Sequence, residues 1–257
     1  MMKEKLREPY TSIKLAIKRW EEKHKKTDIT DAIVINFSGQ WFPIIKMDED
    51  LKKLKSCEAL IMNSNKIERF EALDKLPHLT YLSMELNQIK SLEGLEPLKF
   101  TLKVLLLGCN LLQSLKGVEN FPYLEIFHIP NNLISHWCEF DRLLFCERLI
   151  NVSMIGNKFN ATLPKDVWIF LALRRNPRLR IIDNTYVTDE YLKDDYQYTL
   201  LERPSDKITV KSSDMDLSIS SLELSNISEY FCDEYPSREL SSTELMDESS
   251  DEWADKF

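Results

Sequence analysis

The side chains that could do metal or covalent chemistry here are four histidines (His24, His78, His128, His136) and five cysteines (Cys57, Cys109, Cys138, Cys146, Cys232). A structural zinc site draws on closely spaced Cys and His pairs, and the sequence has no Cys-x-x-Cys. A zinc protease places His-Glu-x-x-His on a helix, and a nucleophile needs a base within hydrogen-bond reach. None of the histidines stands in such a pattern, nor in a triad or kinase pattern. With 5 glycines in 257 residues there is no glycine-rich loop to cradle a phosphate. The residues therefore point away from catalysis, and no cofactor or metal is expected. Odd-numbered, irregularly spaced cysteines argue against a disulfide framework and for a reducing, cytoplasmic setting. No apolar run approaches the roughly 18 residues of a membrane span. The charged stretch from Met1 to Trp20 lacks the apolar core of an export signal, so no membrane partner is expected.

What positions these residues is legible in the charge and repeat patterns. The chain carries 34 Lys+Arg and 42 Asp+Glu, net −8. Residues 191–257 hold 17 acidic and 6 basic side chains, which leaves residues 1–190 with 28 basic and 25 acidic. The acidity thus belongs to the tail. That segment is Ser-rich and poor in long apolar periodicity, so residues 191–257 read as mostly disordered. Within it Met215, Leu217, Ile219, Leu222 and Leu224 alternate, either as a chance cluster or as a short strand that adds to a sheet edge.

Five segments align on one pattern. They begin at Cys57, Leu79, Leu102, Leu124 and Leu149, and carry asparagines at 65, 87, 110, 132 and 157, spaced 22, 23, 22 and 25 residues apart. The pattern is LxxLxLxxNxL, the leucine-rich repeat. Each repeat supplies a short strand whose positions 4 and 6 point inward. The Asn at position 9 turns inward and satisfies backbone groups that the turn leaves open. Apolar residues then recur every three, as in Ile67, Phe70, Leu73 and Leu76, which fits 3₁₀ turns along the convex side. The expected fold is an α/β solenoid of about six parallel strands, centred near Ile33, Leu60, Leu82, Leu105, Phe127 and Val152.

Solenoids need lids. Ile13, Ala16, Ile17 and Trp20 form one helical stripe, giving an N-terminal capping helix within residues 1–30, from about Thr11 to Lys25. The repeats occupy 31–163, opening on a degenerate strand at Ile33 and Ile35. Residues 164–190 form the C-terminal cap. There a helix from Asp166 to Arg175 should present Trp168, Leu171 and Ala172, and Leu179, Ile181 and Ile182 should finish the stack.

Strand positions 3, 5 and 7 face the open, concave side. They read Ala59, Ile61, Asn63; Tyr81, Ser83, Glu85; Val104, Leu106, Gly108; Ile126, His128, Pro130; Asn151, Ser153, Ile155. The apolar middle suggests a protein-binding face made of Ile61, Tyr81, Val104, Leu106, Ile126, His128 and Ile155. Cys57, at a core position, reads as a buried and inert thiol.

Several segments outside the repeat consensus carry a family resemblance. Ile17-Lys-Arg-Trp20-Glu-Glu-Lys23 resembles an A-x-x-R-W-E-E-K opening helix. Phe42-Pro-Ile-Ile-Lys-Met-Asp48 resembles a P-P-I-E-K-M-D segment. Trp137-Cys-Glu-Phe140 and Pro177-Arg-Leu-Arg-Ile-Ile-Asp183 have counterparts in the same family. The family is that of axonemal dynein light chain 1, the leucine-rich light chain of the ciliary outer dynein arm, and the resemblance covers about residues 13–188. It implies a non-catalytic subunit in the cytoskeleton of the ciliary axoneme. Such a subunit docks its concave face on the microtubule-binding stalk of a dynein heavy chain. It also implies a microtubule-facing basic group near the C-terminal helix, for which Arg174, Arg175, Arg178 and Arg180 are the candidates. The same repeat type serves in a regulatory subunit of protein phosphatase 1 and in ciliary assembly scaffolds, the alternative functions. A spliceosomal, RNA-linked role wants a basic surface with stacking aromatics, and a net +3 over residues 1–190 gives it little support, so no nucleic-acid partner is expected.

Overall fold

The computed structural model describes residues 10–25, 27–188 and 191. The acidic tail, with its Met215–Leu224 alternation, lies outside the described residues. The described chain is a leucine-rich repeat solenoid whose sheet has eight strands in sequential order. These are β1 Val34–Asn36, β2 Ala59–Ile61, β3 Tyr81–Ser83, β4 Val104–Leu106, β5 Ile126–His128, β6 Asn151–Ser153, β7 Ile181–Ile182 and β8 Thr185–Tyr186. The first seven pair in parallel, one repeat beside the next, and β8 turns back antiparallel on β7.

Three of these strands differ from the sequence expectation. β1 centres on Ile35, which pairs with Leu60, while Ile33 is exposed. Ile33 instead offers its carbonyl to the N–H groups of Glu58 and Ala59 at the strand's entrance. β7 and β8 bring the count above six, because the Ile181–Ile182 pair continues the repeat register and Asp183-Asn184 then turns the chain back in left-handed backbone (φ 46° and 57°). Such turns favour Asn and Asp, whose short polar side chains tolerate that region.

The inward positions pack as the repeat pattern requires. Leu60, Leu82, Phe127 and Val152 are wholly buried and Leu105 nearly so, and the convex residues Ile67, Phe70, Leu73, Ile89, Leu95, Leu112 and Val118 join the same core. Between repeats runs a ladder of asparagines. Asn110 shows its logic. Its Nδ2 donates to the carbonyls of Leu107 (3.0 Å) and Gly108 (3.2 Å) in its own repeat and of Met84 (2.9 Å) in the preceding one. Its Oδ1 accepts the N–H of Ile89 at 2.9 Å. Asn65, Asn87, Asn132 and Asn157 accept equivalently from Ile44, Ile67, Leu112 and Ile134. Each rung thus satisfies turn groups that would otherwise be buried without partners.

The turn before each rung has a second requirement. Position 8 holds Gly39, Ser64, Leu86, Cys109, Asn131 and Gly156, all with φ between 53° and 76°. At Gly156 a Cβ would come within 2.1 Å of the Asn131 side-chain oxygen, so glycine is required there on two counts.

Both ends are lidded. Helix α1 (Ile13–Lys23) is capped by the Ser12 side chain, which accepts from Leu15 N, and buries Ile13, Ala16, Ile17 and Trp20. Arg19 then donates from one nitrogen to Thr11 Oγ1, Gln40 Oε1 and the Trp41 carbonyl (3.2, 3.1 and 3.2 Å). Gln40 stands where later repeats have the rung Asn, so the lid's arginine engages the one rung that is not asparagine. At the other end a short helix α2 (Trp137–Asp141) and helix α3 (Lys165–Arg175) pack through Trp137, Phe140, Phe159 and Trp168, with ring centroids 5.1–5.7 Å apart. On α3 the buried side chains are Trp168, Ile169, Phe170, Ala172 and Leu173, while Leu171 is only partly buried against the core. The expected helix face is rotated because both Ile169 and Leu173 turn toward the stack.

Candidate functional site: the concave face of the sheet

Strand alternation sends three rows of side chains to the open side, and the parallel register sets each row in line. The first row runs Val34, Ala59, Tyr81, Val104, Ile126, Asn151. It is apolar for five strands and half-buried throughout. The second row runs Asn36, Ile61, Ser83, Leu106, His128, Ser153. Here apolar and polar residues alternate as far as His128, and Ser153 is polar again. The third row, just past the strands, holds Asn63, Glu85, Gly108, Pro130 and Ile155.

The candidate residues from the sequence come together, with one difference in exposure. Ile61, Tyr81, Val104 and Ile126 form one apolar field, half-open to solvent. Ile155 is 54% exposed at its edge, but Leu106 is only 8% exposed. It is the floor of the field rather than its surface. Val34 and Asn36 also belong to the face. Sequence reading left them out because the first repeat lacks the rung Asn that would have fixed the register.

Polar groups on this face are held by one another. The Ser83 hydroxyl (2.8 Å) and the Glu85 N–H (2.9 Å) both donate to Asn63 Oδ1, and Asn63 Nδ2 reaches Glu85 Oε2 at 3.4 Å. A Cβ on Gly108 would sit 3.0 Å from both Glu85 Oε1 and Pro130 Cγ, so this site tolerates no side chain without displacing one of them. Burial raises the Glu85 carboxyl above its ordinary range. Burial also pushes the Tyr81 hydroxyl up to about 12, with the Glu85 charge adding to it and a Ser83 hydrogen bond opposing it. His128 Nε2 lies 3.0 Å from Asn151 Oδ1. Burial lowers the histidine's pKa, and the Asn151 hydrogen bond and the Asp183 charge oppose the shift.

The arrangement is an apolar field whose polar members Asn63, Ser83 and Glu85 bond to one another. Among the described residues no group of three or more His, Cys, Asp or Glu is placed to hold a metal ion. Cys57 and Cys146 are buried, and burial pushes both thiols up to about 12, far from the thiolate a nucleophile needs. Cys232 lies outside the described residues.

No protein-family model matches the chain. Individual relatives do. The axonemal dynein light chain 1 of Danio rerio is 36% identical over 178 residues, covering 69% of this chain and 92% of the relative. That of Rattus norvegicus is 38% identical over 181 residues, covering 70% and 95%.

The chain belongs to the axonemal dynein light chain 1 family.

Similarity extends to the protein of that name from Chlamydomonas reinhardtii, at 33% identity over 147 residues and 57% and 74% coverage. Among solved structures, an internalin of Listeria monocytogenes superposes with a TM-score of 0.47 at 19% identity, over 58% of this chain and 41% of that one.

The four arginines near the C-terminal helix are not equivalent. Arg175 is an internal strut. Its side chain is 11% exposed, its Nη1 donates to both Asp141 oxygens at 2.6 and 2.7 Å, and its guanidinium lies 4.7 Å above the Trp137 ring. Its side chain is therefore turned inward, where the sequence reading expects it on the open face of the cap. Arg174, Arg178 and Arg180 are exposed. Arg174 lies over the Phe170 ring, Arg178 donates to the Leu144 carbonyl, and Arg180 donates to the carbonyls of Pro177 and Leu179. Sequence reading also passed over Asp183. Its Oδ1 accepts from the Ser153 hydroxyl and from the N–H groups of Met154 and Ile155 (2.9, 2.7 and 3.1 Å), and its Oδ2 accepts from the Trp168 indole at 2.7 Å. That one carboxylate ties helix α3 to the end of the concave face.

Proposed function

We propose that this chain is a non-catalytic dynein light chain of the ciliary axoneme. Its concave face docks on a dynein heavy chain, at the microtubule-binding stalk, and tunes how the motor engages its track. Family membership supports the dynein assignment. The observation that carries the docking surface is the apolar first row, Val34-Ala59-Tyr81-Val104-Ile126, half-open and continuous across five strands. A contiguous apolar field of this kind marks a partner site, and a largely pre-formed sheet lowers the ordering cost of binding. Arg174, Arg178 and Arg180, exposed beyond the face's C-terminal end, favour encounter with the acidic surface of tubulin.

The test is affinity capture from ciliated cells with the full chain and with its Val104→Glu/Ile126→Glu variant. The reading expects a dynein heavy chain with the parent and its loss with the variant. Recovery of a protein phosphatase 1 catalytic subunit in place of a heavy chain would favour the regulatory-subunit alternative.

A further inference from the structure

The entrance edge of the sheet, where the chain comes up into each strand, has a chemistry that the docking face does not use. Its backbone forms one row. The carbonyls of Thr80, Lys103, Glu125 and Ile150 accept the first N–H groups of the next repeat, ending at Arg180. In the C-terminal half this edge is basic and aromatic. Lys99 lies 4.7 Å above the exposed Phe100 ring, and Arg148 lies 4.7 Å above Tyr123. Lys103, Arg178 and Arg180 are exposed beside them. Phe100 and Phe145 are 65% and 66% exposed. None of these five cations makes an ion pair among the described residues, whereas on the convex side Lys46, Lys75, Lys90 and Arg142 all do. Among the described residues Glu125 and Glu147 are the carboxylates of the same edge, so the balance there is positive.

We propose that this edge is the seat of the chain's own acidic C-terminal segment, anchored by Glu229-Tyr-Phe-Cys-Asp-Glu-Tyr235. Three observations select this occupant. Residues 212–257 carry 13 acidic and 2 basic side chains, and the anchor sets three carboxylates among three aromatic rings, the complement of cations interleaved with Phe100, Tyr123 and Phe145. The chain also passes the end of the edge, where Val187 N–H donates to the Arg180 carbonyl at 2.8 Å, four residues before Tyr191 bonds Asp166 at the start of α3. Length suffices too. From Arg180 back to Lys103 is three strand spacings, about 15 Å, and the intervening chain of about 40 residues spans roughly 35 Å as a coil. Opposite charges and ring stacking over cations both favour the contact. Because Arg178 and Arg180 are among the cations covered, a seated tail competes with any acidic filament surface for them. Phosphorylation of tail serines, at about −1.5 to −2 charges each, strengthens that competition.

The seat stands or falls apart from heavy-chain docking, because its test contains neither motor nor microtubule. A carbodiimide joins a carboxylate to a lysine that it touches. The full chain, mixed from isotopically labelled and unlabelled protein, is coupled and read by mass spectrometry. Glu229, Asp233 or Glu234 should join Lys99 or Lys103 within one chain at about 50 mM salt. The yield should fall at least about fivefold at 500 mM as the charges are screened. Arg148→Gln with Arg180→Gln removes no coupling site and should still lower the yield severalfold, with circular dichroism unchanged. Even coupling to Lys14, Lys18 and Lys52 at the far end of the solenoid would overturn the proposal. So would an unchanged yield in the arginine variant, or pairs found only between labelled and unlabelled chains.

Discussion

Leu60, Leu82, Leu105, Phe127 and Val152 point into the stack, while their strand neighbours Ile61, Ser83, Leu106, His128 and Ser153 point out of it. The two sets belong to the same strands and obey different rules. The inward set varies only among apolar side chains, because every repeat must fill the same slot between the same neighbours, and close packing penalises a change of even one methylene. The outward set mixes apolar and polar side chains. Ser83, Leu106 and Ser153 are buried, while Ile61 and His128 are half-open, so it is the half-open members whose types are free to suit a partner. The comparison teaches where to look for function in a solenoid: at positions where the repeat rule is silent.

Changing the inward set should give the largest stability effects. Leu105→Ala removes a buried side chain that the stack cannot refill, and a loss of about 2–5 kcal/mol is expected in chemical denaturation. Asn110→Ala follows, at about 1–3 kcal/mol, because it strands the Ile89 N–H and the carbonyls of Met84, Leu107 and Gly108. A neutral result for either would erase the distinction between the two sets. Asp183→Ala should cost a similar amount, since it frees three donors on Ser153, Met154 and Ile155 and the Trp168 indole together.

The smallest effect sits on the outward set. His128 titrates below its ordinary 6.5 in the folded chain, chiefly because burial disfavours the charge. The unfolded chain then takes up the proton first, so stability from this group is whole above pH 6.5 and is lost as pH falls through the folded value. His128→Gln should flatten that part of the stability profile, read as denaturation midpoints of parent and variant between pH 7.5 and 5. Glu85 has the opposite sign. Burial raises its pKa, so the folded chain holds its proton longer and stability declines as pH rises from the ordinary carboxyl range through the folded value. Taking the difference between the His128 variant and the parent removes the Glu85 slope from both.

The sequence showed most of the inward set and less of the outward one, for a physical reason. Rung asparagines and Leu positions recur every 22 to 25 residues, so five copies vouch for one another. Where the repeat loses a marker, the reading slips. Gln40 replaces the first rung, and the first strand was centred two residues early, at Ile33 in place of Ile35. Outward exposure is a property of neighbours across the sheet, which no single strand encodes. Leu106 therefore reads as open surface and is in fact floor. The same holds at the cap, where Arg175 resembles its exposed neighbours in sequence but is claimed by Asp141 and Trp137, both more than 30 residues away in the chain. Left-handed position 8 gave only a broken signal, because Gly39, Asn131 and Gly156 favour that backbone while Ser64, Leu86 and Cys109 do not.

The central claim is that the outward apolar row is the docking face for a dynein heavy chain, and the most direct measurement is isothermal calorimetry against a heavy-chain stalk-tip domain. Val104 and Ile126 lie side by side in that row, half-open, so Val104→Glu with Ile126→Glu adds charge where a partner must desolvate it. Leu106 is avoided because at 8% exposure a glutamate there would disturb the fold. The account predicts that the parent binds and that the variant loses at least about 2 kcal/mol of binding, some thirtyfold in affinity, with its denaturation midpoint close to the parent's. Equal affinities, with both proteins folded, would contradict it.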